Sequence, residues 1–148
     1  MIAPYDAIVR SVQPDLAEIG FELVADDRAG VTFKRGRFNL EINTEQYYHP
    51  TLESVLGYTE ENGQLAKFHI ATIMEVLAPD QLLKLRNNYD HQTHDGIKEA
   101  LRFKIQFLKT HEIQVFQNPP IYLEACRKVD IDAARRAGFD IGEDGVLR

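Results

Sequence analysis

In the first twenty residues, Tyr5, Ile8, Val9, Val12, Leu16 and Ile19 recur at spacings of one, three and four. That gathers them on one stripe of a helix over 4–19. Pro14 falls on the opposite side, where its missing N–H predicts a kink or a split into two short helices. Gly20 is placed to end the helix. From residue 21 the period changes to two. Phe21, Leu23 and Ala25 alternate with Glu22 and Val24, and Val31 and Phe33 flank Thr32. Phe38, Leu40 and Ile42 then alternate with Arg37, Asn39, Glu41 and Asn43, the cleanest half-buried strand pattern in the chain. Turn residues at Asp26–Gly30 and Gly36 separate these runs. A fourth strand is predicted over Leu52 to Tyr58. The short connections predict an antiparallel meander, apolar on one face and polar on the other.

Residues 65–70 fit a strand or the start of a helix. From Ile70 the helical spacing of Ile70, Ile73, Met74 and Leu77 takes over, and Pro79 stops it. Asp80 is placed to cap a short helix over Gln81 to Asn88. A long helix is predicted from about Gly96 to Phe116, with Ile97, Leu101, Ile105 and Leu108 as its main stripe. Phe103 and Phe107 stand about 100–140° around the same helix. Two apolar faces predict a sandwiched helix, covered within the chain or by a second copy, which makes a homodimer one expected partnership. Pro119 or Pro120 starts a last helix near Ile121, ending at Arg135, Arg136 and Gly138. Residues 138–148 are predicted to be an irregular tail. The predicted fold is α+β: an N-terminal helix, a four-stranded antiparallel meander, then three to four helices packed on one sheet face.

Composition narrows the class. With 148 residues, 44% hydrophobic and 27% charged, the chain fits one domain over 1–148 with a core of its own. The single cysteine, Cys126, excludes an internal disulfide and a multi-cysteine zinc site, and its apolar stripe with Tyr122 and Val129 predicts a buried structural thiol. No apolar run approaches the ~18 residues of a membrane span, and the first residues lack the features of a signal peptide, so a cytoplasmic location without membrane contact is expected. The net charge of −6 is concentrated: residues 1–62 hold 11 acidic and 5 basic residues, against 6 and 7 in 63–120 and 6 and 5 in 121–148. Such acidity opposes nucleic-acid binding and favours a basic protein partner. The scattered glycines form no phosphate-binding loop, and no cofactor is predicted.

Three groups of residues could carry chemistry. Tyr47, Tyr48 and His49 follow the third strand, on a loop that could bring aromatic area and hydrogen-bonding tips to a partner, or close one end of the sheet. Arg37, Asn39 and Glu41 belong to the polar strand face, suited either to a protein contact or to solvated cross-strand pairs. His91, His94 and Asp95 offer two imidazoles and a carboxylate within five residues, a set that can hold a divalent metal and activate water. Thr93 or Asp95 could equally cap the following helix. The His94-Asp95 pair is similar to that of the HD-type metal-dependent phosphohydrolases.

The order of elements adds one further pointer. An amphipathic first helix, Gly20-Phe21 and a strand, Gly30-Val31-Thr32-Phe33, the Gly36 turn and Phe38-Asn39-Leu40-Glu41-Ile42 precede the helices. This layout resembles small acidic bacterial α+β proteins, some of which act as immunity proteins for polymorphic toxins. The resemblance implies a fold and a toxin-neutralising or regulatory binding role, and carries over no site residue. Sequence therefore predicts a non-catalytic protein-binding module, with metal-dependent hydrolysis through residues 90–95 as the alternative.

Overall fold

The computed structural model describes residues 1–44 and 51–148. Helix α1 spans Tyr5–Glu18 and buries Tyr5, Ile8, Val9, Val12 and Leu16, the predicted stripe. Pro14 lies inside α1 without splitting it into two. Its side chain is exposed, and on that side water can take the carbonyl bond a proline leaves unmade. The helix closes on Gly20 at φ +85°. There the Gly20 N–H donates to the Ala17 carbonyl (3.0 Å) and the Phe21 N–H to that of Leu16 (3.0 Å). This pairing satisfies two terminal carbonyls and requires the left-handed backbone that glycine adopts freely.

Five strands follow: β1 (Glu22–Asp26), β2 (Gly30–Arg35), β3 (Phe38–Asn43), β4 (Glu53–Thr59) and β5 (Leu65–His69). They form one antiparallel meander in chain order. The predicted four-strand sheet is thus corrected to five. Residues 65–69 alternate, with Ala66 and Phe68 buried and Leu65, Lys67 and His69 exposed, and they pair with β4. Phe33, Leu40, Leu56 and Phe68 stand opposite one another in a single inward row across β2 to β5. The buried side chains of these strands all point to that inner side.

Helices α2 (Ile70–Leu77), α3 (Pro79–Asn88), α4 (His94–Thr110), α5 (Glu112–Val115) and α6 (Leu123–Arg136) complete the fold, five helical segments where three to four were expected. Pro79 occupies the first position of α3, where no N–H is needed, so that helix begins before the predicted Asp80 cap. The long predicted helix is broken at His111, and its last turn is α5. Both apolar faces of α4 are covered within the chain: Phe107 is buried, and Phe103 packs on Tyr89 with ring centroids 5.5 Å apart. Four aromatic rings, Phe21, Phe38, Tyr58 and Phe116, form a chain of contacts at 5.0 to 5.4 Å under the sheet. Arg35 lies 4.4 Å over Phe116, donates to the Ile19 carbonyl (2.8 Å) and pairs with Glu112 (3.0 Å), linking the end of α1 to α5.

Helices α1 and α4 run side by side in the same direction. Tyr5 meets the His94 ring at one end, and Lys109 bridges Asp15 (3.1 Å) and Glu18 (2.6 Å) at the other. At the start of α4, Thr93 accepts from the Gly96 N–H (3.0 Å) as the N-cap. A Cβ at Gly96 would sit 1.6 Å from the Asp90 carbonyl oxygen.

These contacts give two stability predictions. Gly96→Ala must push the 90–93 backbone off α4 and is expected to cost about 1–3 kcal/mol, whereas Gly20→Ala costs about 1 kcal/mol from backbone strain; urea unfolding measures both. The carboxylates of Glu18 and Asp15 hold Lys109 above its ordinary value of 10.5. A raised folded pKa gives stability that is complete below 10.5 and is lost as pH rises through the folded value. The urea-midpoint difference between wild type and Lys109→Met should therefore be constant near pH 8 and shrink above pH 10.5.

Candidate functional site: the open side of the sheet

Among the described residues, the helices pack on one side and leave the other face of the sheet uncovered. Two outward rows cross it: Glu22, Lys34, Asn39, Gly57 and Lys67, and beside them Ala25, Thr32, Glu41, Val55 and His69. Gly57 leaves a trough in its middle. Leu65 Cδ1 would lie 3.2 Å from a Cβ placed there, and the Lys67 stem 3.5 Å away. Lys67 uses that space to cross β4 and reach both carboxylate oxygens of Glu41, at 3.0 and 3.1 Å. Arg37, in the turn before β3, donates to the Thr59 carbonyl (3.1 Å). The half-exposed Lys67–Glu41 pair adds little stability, so both side chains are free to exchange partners at small cost.

The structure thus places Asn39 and Glu41 next to each other on the outward face, with Arg37 at its margin. Tyr47, Tyr48 and His49 lie outside the described residues. The metal candidates are separated in function. A ring nitrogen of His91 stands 3.0 Å from the Leu85 carbonyl, the His94 ring packs edge-on against Tyr5 at 5.9 Å, and Asp95 sits exposed in the first turn of α4. Among the described residues, no three His, Cys, Asp or Glu side chains cluster as a metal site would need. Sequence reading missed Leu65, Lys67 and Val55 as parts of the open face. The alternation of Leu65, Lys67 and His69 against Ala66 and Phe68 is the signal that identifies the first two.

Two further places hold polar groups. A cavity of about 700 Å³ separates α6 from the tail, with Phe68 at one side. Two of its three basic residues are engaged: Arg127 pairs with Glu60 (3.4 Å) and Glu124, and Arg135 with Glu143 (3.2 Å) and the Ile141 carbonyl (2.9 Å); Lys128 is the third. Arg135 holds the tail against α6, and within the tail Ile141 and Leu147 form one β-bridge, the rest being without strand or helix. A smaller cavity of about 240 Å³ lies between the start of β4 and α4. Lys104 lines it, held below the ordinary lysine value by burial and partly restored by Glu53.

Cys126 is fully buried on α6. Burial, and secondarily the charges of Asp130 and Glu75, push its thiol up to about 12. Burial likewise raises Asp130, against the pull of His69 and a Thr72 hydrogen bond. A thiol in this state is not a nucleophile near neutral pH. Among the described residues, no helix is long and apolar enough to cross a membrane. No family model, curated protein or solved structure matches the chain.

Cys126 is expected to resist an aromatic disulfide reagent in the folded protein at pH 8. It should react fully once urea unfolds the chain, as followed by the absorbance of the released thiolate.

Proposed function

We propose that the chain is a non-catalytic protein-binding module of regulatory or toxin-neutralising type, and that its partner is a protein presenting basic side chains. The observation that carries this reading is the one-sided sheet. Five strands expose a continuous face in which Asn39, Glu41, Val55, Leu65 and Lys67 mix charge, amide and apolar area. Such a mixture suits a protein interface, with a small apolar centre and hydrogen-bonding groups around it. The Glu41–Lys67 pair can open to engage charges on a partner. The net of −6 in residues 1–62, which supply β1 to β4, favours a basic partner and speeds its encounter.

Native mass spectrometry of the protein captured from its host's lysate, beside two variants, tests the reading. A stoichiometric heterocomplex is expected with wild type and with Asp80→Lys, a control on α3. Glu41→Lys is expected to weaken it at least ten-fold. A complex indifferent to both Glu41→Lys and Lys67→Glu would reject this face. A bound transition metal, lost on substituting His91 or His94, would favour hydrolysis instead.

A further inference from the structure

The two edges of the sheet differ. At the β5 side, α2 follows His69 directly, and α6 with the tail flanks Phe68. At the other side β1 packs densely on β2, and Asp26 at its end pairs with the Met1 ammonium. All five of its residues are exposed, Leu23 at 44% and Val24 at 55%. Among the described residues, no backbone bond from an element other than β2 reaches residues 22–26. A strand with free N–H and C=O groups along one side is a template for another strand. Beneath this edge, between β1 and α1, runs a groove of about 320 Å³. Val9, Val31 and Phe33 line its floor, and Leu23, Gln13 and two ion pairs, Arg10–Asp6 and Met1–Asp26, stand around it.

Charge selects the occupant. The apolar run Leu23-Val24-Ala25 is bracketed by Glu22 and by Asp26-Asp27. Antiparallel pairing of β1 with a second copy of itself, centred on Val24, would set Glu22 against Asp26 at both ends. Like charges opposite one another across strands are destabilising. An extended segment with basic ends and an apolar middle avoids that repulsion, meeting Glu22 at one end and, at the other, the half-exposed Asp26 carboxylate that it shares with the Met1 ammonium. An irregularity in the β1–β2 register between Leu23 and Ala25 leaves Val24 without a partner on β2, so a strand added here is short. We infer that β1 is the docking edge for an extended segment of a partner protein, added as a sixth strand, with an apolar side chain in the groove and basic side chains beside Glu22 and Asp26.

This inference rests on the protein-binding reading but concerns a different surface, so the two can fail separately. The probe is a fluorescein-labelled peptide, Lys-Val-Thr-Val-Lys, titrated into the isotope-labelled full chain, beside the same core with glutamate ends. Binding is expected to shift the amide resonances of residues 22–26 and the methyls of Val9 and Val31. The glutamate-ended peptide and the variant Leu23→Glu should each bind at least ten-fold more weakly. Val24→Pro should do the same, with circular dichroism reporting whether it folds. Equal affinity for both peptides, or silent 22–26 amides, overturns the inference. Shifts confined to Glu41 and Lys67 also overturn it while sustaining the open-face reading. Dimerisation of the free protein through β1, detected by sedimentation and abolished by Leu23→Glu, overturns it in favour of a second copy.

Discussion

The inward row of Phe33, Leu40, Leu56 and Phe68 holds the rest of the molecule in place. Strand side chains alternate with period two, so a slip of one residue in any pairing would carry an entire apolar set to the solvent. In this row each of β2 to β5 contributes one large apolar side chain at the same level. The levels on either side are also buried, Val31 and Ile42 with the polar Ser54 above and Phe38 and Tyr58 with the small Ala66 below. Burying each of the large apolar residues is worth roughly 1.5–3 kcal/mol, several times the worth of an exposed ion pair. Register is therefore decided by the apolar side, and the charged side conforms to it.

That choice determines where the helices go. One face of the sheet is apolar and the other is not, so α1 to α6 have only one surface on which to bury their stripes. The packing is then fixed by a few directional contacts. Tyr58 donates to Asn118, tying β4 to the segment between α5 and α6, and Tyr122 to the Val115 carbonyl at 2.7 Å, tying the start of α6 to the end of α5. Arg35 belongs to the inward level of Phe38 but sits at the sheet's margin, where its guanidinium can cover Phe116 and still reach Glu112. An arginine suits this place because its planar face stacks while its edge donates.

Sequence legibility follows the same division. The α1 stripe, β2, β3 and the main stripe of α4 were readable because each buries one face completely, and complete burial leaves a clean period. Thr93 was readable as a cap because its chemistry is local. β5 was ambiguous because it is five residues long and runs directly into a helix whose apolar spacing begins at Ile70. The break at His111 had no signal in the apolar pattern, which runs on through Val115 and Phe116. Leu23 and Ala25 read as inward residues of an ordinary strand, yet both are exposed. Leu23 pairs with the buried Phe33 and does face inward, but onto the open groove between β1 and α1 rather than into packed core. The open face was only partly legible: Asn39 and Glu41 lie within one strand, whereas their neighbours Val55 and Lys67 arrive from strands that sequence order alone does not place beside them.

The exposed Leu23 and Val24 are informative because of what surrounds them. A lone exposed leucine is ordinary on any protein surface. Here the two occupy an edge strand whose outer backbone groups have no partner among the described residues, beside a groove floored by Val9, Val31 and Phe33. Proteins usually blunt such an edge with lysine, proline or a covering helix. The opposite side of the sheet follows that practice, with α2 running on from β5 and α6 alongside. β1 has acids at its ends and an apolar middle instead. Acidic brackets discourage pairing with identical or acidic strands, yet they leave a basic strand unopposed. The same feature that keeps the edge from sticking to itself thereby specifies the chemistry of the strand it can accept.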